Sequence, residues 1–508
     1  MIETSERFEE QPLEPATQEA PGPAAGSTGN DLGSTPPATP APAPDAVRSP
    51  GVEAAIERGA ARLEAAAAER ARMRAMRFDT IAVHGLYSMA EALANQGSIN
   101  EPAYLSPAQH FATSDEMEAA LAYLAPSWTY SRIANPTLGY LEETLALLEG
   151  YGYEGGVSAT VTASGMAAVM MATSPFLSMD PGVGGDRPRP NLVASARCYG
   201  GTFMLFSRYA AERGIEIRWV RDPLDLAAWE AAVDDWTRVV FGEMPSNPGL
   251  GVFDIAGVAA IAHGSGAPLV VDSTIATPAL MRPLEHGADI VVQSLSKAMG
   301  GSGMTIAGAV IARHDIPSHI GPDDLRANFA QHVKLLPLRD LGPGLSPFSA
   351  LMVMNDLRTL RGRVDHWSGN AMTVARWLEA DPRVTEVRYP GLPSFPGHLE
   401  SARYMTLVDG DSTGNVAPRF GHLMSFRVAG GPAATRAAFD RLQLIWRATD
   451  LGRVKSIATI PAISTHQQQG ETGRELADIP EDLVRLSIGG EHPDDLIADL
   501  DRALGATG

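Results

Sequence analysis

Six short apolar runs, separated by stretches with helical spacing, constrain this chain more than any other feature. GVSATVTA, PNLVAS, IEIRWV, RVVFGE, PLVVDS and DIVVQS follow one another between residues 156 and 294. Runs of four or five β-branched or apolar residues without alternation suit strands buried on both faces. Stretches such as DIAGVAAIAHGSG supply the helices of right-handed crossovers between them. The pattern predicts an α/β fold, a mostly parallel sheet covered by helices. Ligands of such sheets sit beyond the carboxyl ends of the strands, so the chemistry is expected just after these runs.

The flanks read differently. Beyond about Pro337 come long helical segments and a few strands (GHLMSFRVAG, KSIATI, LVRLSIGG), closed by an amphipathic helix, HPDDLIADLDRALG. This predicts a smaller C-terminal α+β domain over 337–508, packed on a large domain over 146–336. Residues 1–50 hold ten prolines, eight acids and a single aromatic, Phe8. Such a segment cannot bury enough apolar area to offset its ordering entropy and is expected to be a disordered tail. Residues 51–77, rich in Ala, Glu and Arg, are expected to form a helical spacer.

Composition narrows the function. With 508 residues there is enough chain for a core of two or three domains. Forty Lys plus Arg against sixty Asp plus Glu leave a formal charge of −20, which argues against nucleic acid or an anionic membrane as the main partner. The single cysteine, Cys198, cannot form an internal disulfide. No apolar run reaches the roughly 18 residues of a spanning helix, and the N-terminus is acidic where a signal peptide would be basic. A cytoplasmic location is expected. No metal site is expected either. The histidines lack ligand spacing, and DGDSTG (409–414) has Phe420 where a calcium loop needs its last carboxylate.

Two strand ends carry groups that are seldom buried alone. VVDS puts Asp272 at one, and ADIVVQSLSK puts Ser294, Ser296 and Lys297 at another. An acid and a lysine on one sheet edge form either a plain ion pair or a reactive pair. TASGMAAV sets Ser164, Gly165 and Met166 at a strand-to-helix turn, where free N–H groups and the helix dipole favour an anion, although close helix packing accounts for it equally well. SARCYGGTF presents Tyr199 ahead of two glycines, and EMPSNP holds Asn247 in a Pro-bracketed turn. A phosphate cradle, an aromatic face, a carboxylate and an amine are what pyridoxal phosphate requires. The amine forms an imine with the aldehyde, and the carboxylate keeps the pyridine nitrogen protonated so that the ring draws electrons from the substrate.

YSRIANPT (130–137), SGMAAV, YGGTF, VDSTIATP, GADIVVQSLSKAMGG, LSPFSA, PAISTHQQ and LVRLSIG occur in that order between about Phe78 and Leu504. This set resembles the Cys/Met-metabolism enzymes, fold type I pyridoxal phosphate proteins that include cystathionine synthases and lyases, methionine γ-lyase and O-acetylhomoserine sulfhydrylase. LRDLGPGLSPFSALMVMNDLRTL, LGRVKSIATIPAISTHQQ and RLSIGGEHPDDLIADL look most like the sulfhydrylase branch.

The resemblance implies roles. Lys297 is the imine-forming lysine and proton shuttle, Asp272 the partner of the pyridine nitrogen, and Tyr199 the stacking ring that assists proton transfer. Gly165, Met166, Ser294 and Ser296 hold the phosphate, with Thr274 and Asn247 also against the cofactor. Tyr130 and Arg132 join from a neighbouring subunit, which makes 78–145 an arm of a homodimer or homotetramer. Arg485 and Ser456 bind the α-carboxylate of a small amino-acid substrate. The implied reaction is γ-replacement on an O-acylated homoserine, with a γ-lyase acting on methionine as the alternative. Methionine γ-lyases carry cysteine two positions after the stacking tyrosine, where this chain has Gly201. Ser273 and Ile275 replace the Asn and Phe of the family's Asp-Asn-Thr-Phe string. Gln293 and Ala298 replace the His and Tyr of its His-Ser-Ala-Thr-Lys-Tyr string.

Overall fold

In a computed structural model, which describes residues 48–177 and 189–505, the six apolar runs form six strands of one sheet. They are β1 (Val157–Thr162), β2 (Asn191–Ser195), β3 (Glu216–Val220), β4 (Thr237–Glu243), β5 (Leu269–Asp272) and β6 (Ile290–Gln293). A seventh strand, β7 (Gly308–Arg313), completes a sheet of order β1-β7-β6-β5-β4-β2-β3. Pairing is parallel from β3 through β2, β4 and β5 to β6, and β7 runs antiparallel to both β6 and β1. The reason for the apolar runs is visible in their burial. Leu269, Val270, Val271, Ile290, Val291 and Val292 are all inaccessible to water, each worth about 1.5–3 kcal/mol in burial. Helices such as Gly165–Leu177 and Ile255–Gly264 cover the sheet.

Downstream, β8 (Val384–Arg388), β9 (Leu423–Val428), β10 (Trp446–Arg447), β11 (Ile457–Thr459) and β12 (Leu483–Ser487) make a second sheet of order β10-β11-β12-β9-β8. Its partners are mostly antiparallel. The long helical segment predicted after Pro337 is two helices, Pro347–Leu357 and Leu360–Ala380. The closing helix spans Pro493–Leu504, with Leu496, Leu500, Ala503 and Leu504 buried on one face.

At the other end the predicted spacer is a helix over Pro50–Arg74, capped by Ser49 Oγ, which accepts from Val52 N at 3.1 Å. Val52 and Ala55 pack against Ala119 and Ala125, so the helix is docked on the arm that follows it. The expected disordered tail lies outside the described residues except for positions 48–50. Among the described residues no helix is long and apolar enough to cross a membrane.

Candidate active site

The carboxyl ends of β4, β5 and β6 lie side by side, and each ends in a polar group. Glu243 of β4 is in register with Asp272 of β5, and Asp272 in turn with Val292 of β6. Burial pushes the Asp272 carboxyl up to about 6, against hydrogen bonds from the Thr274 side chain and backbone that pull it down. Glu243 is held well above the ordinary carboxylate range, first by burial and then by the charge of Asp272. Thr274 links two strand ends. Its N–H donates to Asp272 Oδ1 at 3.0 Å, and its Oγ1 accepts from Ser294 N at 2.8 Å.

Lys297 follows β6 after a three-residue turn. Its Nζ donates to Asp450 Oδ1 at 2.6 Å. Burial lowers the affinity of the amine for its proton, Asp450 raises it, and the guanidinium groups of Arg453 and Arg485 lower it again. Ser294 faces the turn at the start of the Gly165–Leu177 helix. A Cβ on Gly165 would stand 2.6 Å from Ser294 Cβ, so only glycine lets this turn approach the β6 end. Ser296 is otherwise engaged: its Oγ donates to Ala307 O at 3.0 Å and accepts from Ala307 N at 2.9 Å.

Tyr199 caps the short helix after β2 and is held from behind. Its backbone N–H donates to Glu243 Oε2 at 2.6 Å, and Asn247 N donates to Oε1 of the same carboxylate at 2.7 Å. The ring stands edge-on to His466, with centroids 6.3 Å apart. A Cβ on Gly201 would lie 2.5 Å from Tyr199 Cε1 and 3.0 Å from Met166 Sδ. The tyrosine ring, Met166 and the Gly201 backbone therefore touch. Cys198 is fully buried beside them, its thiol pushed up by burial and by the Glu243 charge.

The second sheet supplies the other wall. Arg485 on β12 is fully buried, and burial lowers it to about 10. Its Nη1 donates to Asn247 Oδ1 at 3.0 Å, and its Nη2 to the carbonyls of Thr449 and Asp450 at 3.2 and 2.8 Å. Its Nε–H has no partner. Ser456, expected beside it, is turned to a different task. Its Oγ donates to Glu491 Oε2 at 2.9 Å and accepts from Gly489 N at 2.9 Å, which leaves no hydroxyl hydrogen for a substrate carboxylate. Tyr130 and Arg132 have their polar contacts outside the Lys297 cluster. Arg132 sits 5.6 Å from the Tyr130 ring centroid and donates to Arg339 O.

Pyridoxal phosphate fits this donor set. Asp272 has no cationic partner among the described residues, so its buried charge calls for an N–H⁺. The Gly165 turn with Ser294 offers N–H and hydroxyl donors close by, and Lys297 supplies the amine.

A family profile, that of the Cys/Met metabolism PLP-dependent enzymes, matches residues 79–505. The chain belongs to this family. Members of the family similar to it include the L-methionine gamma-lyase of Pseudomonas putida, 36% identical over 85% of this chain and 98% of that one. The O-succinylhomoserine sulfhydrylase of Pseudomonas aeruginosa is 35% identical over 84% and 95%. A Campylobacter jejuni structure assigned as an O-acetylhomoserine (thiol)-lyase superposes with a TM-score of 0.74 at 33% identity, over 85% of this chain and all of the other, and carries N′-pyridoxyl-lysine-5′-monophosphate. This chain is thus a pyridoxal phosphate enzyme of Cys/Met metabolism with the fold type I architecture.

Sequence reasoning missed several residues of this cluster. Glu243 ends the RVVFGE run just as Asp272 ends PLVVDS, and the rule about strand ends would have found it. Asp450 and Arg453 lie in a polar stretch between short strands, with no spacing that marks them.

Proposed function

We propose that this enzyme catalyses γ-replacement on an O-acylated homoserine, with O-acetylhomoserine as donor and sulfide or a similar nucleophile as acceptor. The Cγ–O bond of the ester breaks, a Cγ–S bond forms, and homocysteine (or an analogue) and acetate leave. The observation that carries the choice within the family is Gly201. Methionine γ-lyases have a cysteine at this position, and here a Cβ would stand 2.5 Å from Tyr199 Cε1, so the ring, as it is placed in this chain, would have to shift to admit one. The γ-lyase reading, release of ammonia and a 2-oxo acid from methionine, draws support from the identity with the Pseudomonas putida enzyme.

Bound pyridoxal phosphate would supply the electron sink that makes protons on Cα and Cβ removable. Asp272, oriented by Thr274, would hold the ring nitrogen's proton, and the turn at Gly165 and Met166, with Ser294, would hold the phosphate. Lys297 Nζ would take up the Cα and then the Cβ proton, and its burial, which lowers the affinity of the resting amine for a proton, favours its deprotonation for that task. Arg485, with its free Nε–H, would grip the α-carboxylate. Tyr199 would stack on the ring and deliver a proton to the departing ester oxygen.

A second copy of the chain is part of the proposal. The arm exposes Met89, Leu93, Ile99 and Leu105, all more than 60% accessible, together with Tyr130. Burying these in a homodimer or homotetramer would bring Tyr130 and Arg132 to a neighbour's phosphate site. A cytoplasmic enzyme of amino-acid metabolism fits this reading.

Incubation with O-acetylhomoserine, with and without sulfide, tests the reaction. Homocysteine that appears only with sulfide supports replacement. Equal release of ammonia and 2-oxobutanoate without sulfide, or from methionine, overturns it in favour of the lyase.

A further inference from the structure

Three cations (Lys297, Arg453 and Arg485) and one carboxylate, Asp450, meet between the two walls, and their pairing is unequal. Asp450 accepts from Lys297 Nζ at 2.6 Å through Oδ1 and from Arg453 Nε at 2.5 Å through Oδ2. Arg453 spends Nη1 on Gly300 O at 3.0 Å and is largely buried. Arg485 differs. Its donors meet an amide oxygen and two carbonyls, and no carboxylate is bonded to it. One guanidinium near the reactive amine is already neutralised, and the other is waiting for an anion.

We propose that Asp450 is a specificity-determining residue that restricts this pocket to amino acids with one carboxylate and an uncharged side chain. The inference rests on the reading of the Lys297 pocket as an amino-acid site and names the substrate class of that site. With the cofactor bound, Lys297 would serve as its tether or, once an amino acid is seated, as the proton-accepting amine, so the fixed charges facing the substrate are Arg485, Arg453 and Asp450. The α-carboxylate goes to Arg485. A second carboxylate on the side chain would find Arg453 occupied and Asp450 repelling it, in a partly desolvated site where like charges are costly. An acetyl ester satisfies this condition and a succinyl ester does not. The loss of Asp450 would free Arg453 to receive the second carboxylate bidentately.

The test uses ligands without a leaving group, so that binding is read apart from turnover. Holoenzyme is titrated with L-norleucine and with L-2-aminoadipate, which differ at the chain end by a methyl against a carboxylate, and the cofactor's visible absorbance is followed. In the wild-type protein norleucine should bind about tenfold or more tightly. In D450N the gap should close by about tenfold through a gain in aminoadipate affinity. Wild-type affinities within about twofold of each other, or an unchanged ratio in D450N, would overturn the proposal. The first comparison needs no variant, and D450S repeats the second should D450N not fold. The reaction can fail separately. Methionine and O-acetylhomoserine both have uncharged side chains, so a lyase outcome leaves this selection intact, whereas equal turnover of O-succinylhomoserine sinks it and leaves γ-replacement standing.

Discussion

The two walls of the site are built in opposite ways. On the cofactor side, Glu243, Asp272 and Ser294 stand at or just beyond the ends of adjacent buried strands, tied together by Thr274 and by the backbone of Tyr199 and Asn247. On the substrate side, Asp450 and Arg453 come from the connection between β10 and β11, and Arg485 reaches in from β12. Lys297 belongs to both, since it follows β6 and bonds Asp450. The first wall has a fixed geometry because its strands are locked in register. The second is held by charge, and so can be retuned by one substitution.

The largest expected effect falls where the walls meet. Lys297→Ala should abolish both turnover and the visible absorbance of the covalently held cofactor, as read after borohydride reduction and mass spectrometry. Residual normal turnover would break the assignment of both walls. Tyr199→Phe comes next. Loss of a general acid costs about 10²- to 10⁴-fold in kcat while cofactor binding persists, which equilibrium dialysis would check. On the substrate wall, Arg485→Met should raise KM by about 30-fold or more, the cost of removing a buried partner of a carboxylate, with circular dichroism to confirm folding. A change confined to kcat would mean that the arginine does not bind the substrate.

Smaller effects test the cofactor wall through pH. The Asp272 carboxyl sits at about 6 and must be ionised to hold a protonated ring nitrogen. Cofactor capture by the apoenzyme should therefore weaken as the pH falls through about 6, and Asp272→Asn should remove that dependence. Glu149 gives the smallest change. It is fully buried, accepts from Gln293 Nε2 at 2.5 Å, and is raised to about 8 by burial. Its folded form binds a proton more tightly than the unfolded chain does. The stability this contributes is complete below about 4.5 and is lost as pH rises toward about 8. Glu149 Oε2 and Gln293 Oε1 both lack partners, and an amide at position 149 would pair them. Glu149→Gln should raise Tm by roughly 2–4 °C at pH 8 and leave it unchanged near pH 4.5.

Much of this was legible before any coordinates. Each of the six runs became a strand; β2, β4, β5 and β6 are buried almost throughout, which demands apolar residues on both faces, whereas β1 and β3, at the sheet's two edges, stay partly exposed. β7 was missed, since GAVIAR follows the glycine-rich GGSGMT with no crossover helix to announce it. β8 and β10 were missed as well, being short and partly exposed. At the site, Lys297, Asp272, Gly165 and Tyr199 could be read because the strand-end rule places them. Ser456 could not, because its bond to Glu491 joins residues 35 positions apart with no pattern between them.

By itself, the sequence determined the layered architecture, the family, and the acid and lysine on one sheet edge, since periodicity and strand-end position are local properties of the chain. Only the tertiary structure decided which charges neutralise each other. Asp450 lies 153 residues from Lys297, and its choice between that amine, Arg453 and an incoming ligand is set by distances that no stretch of sequence contains.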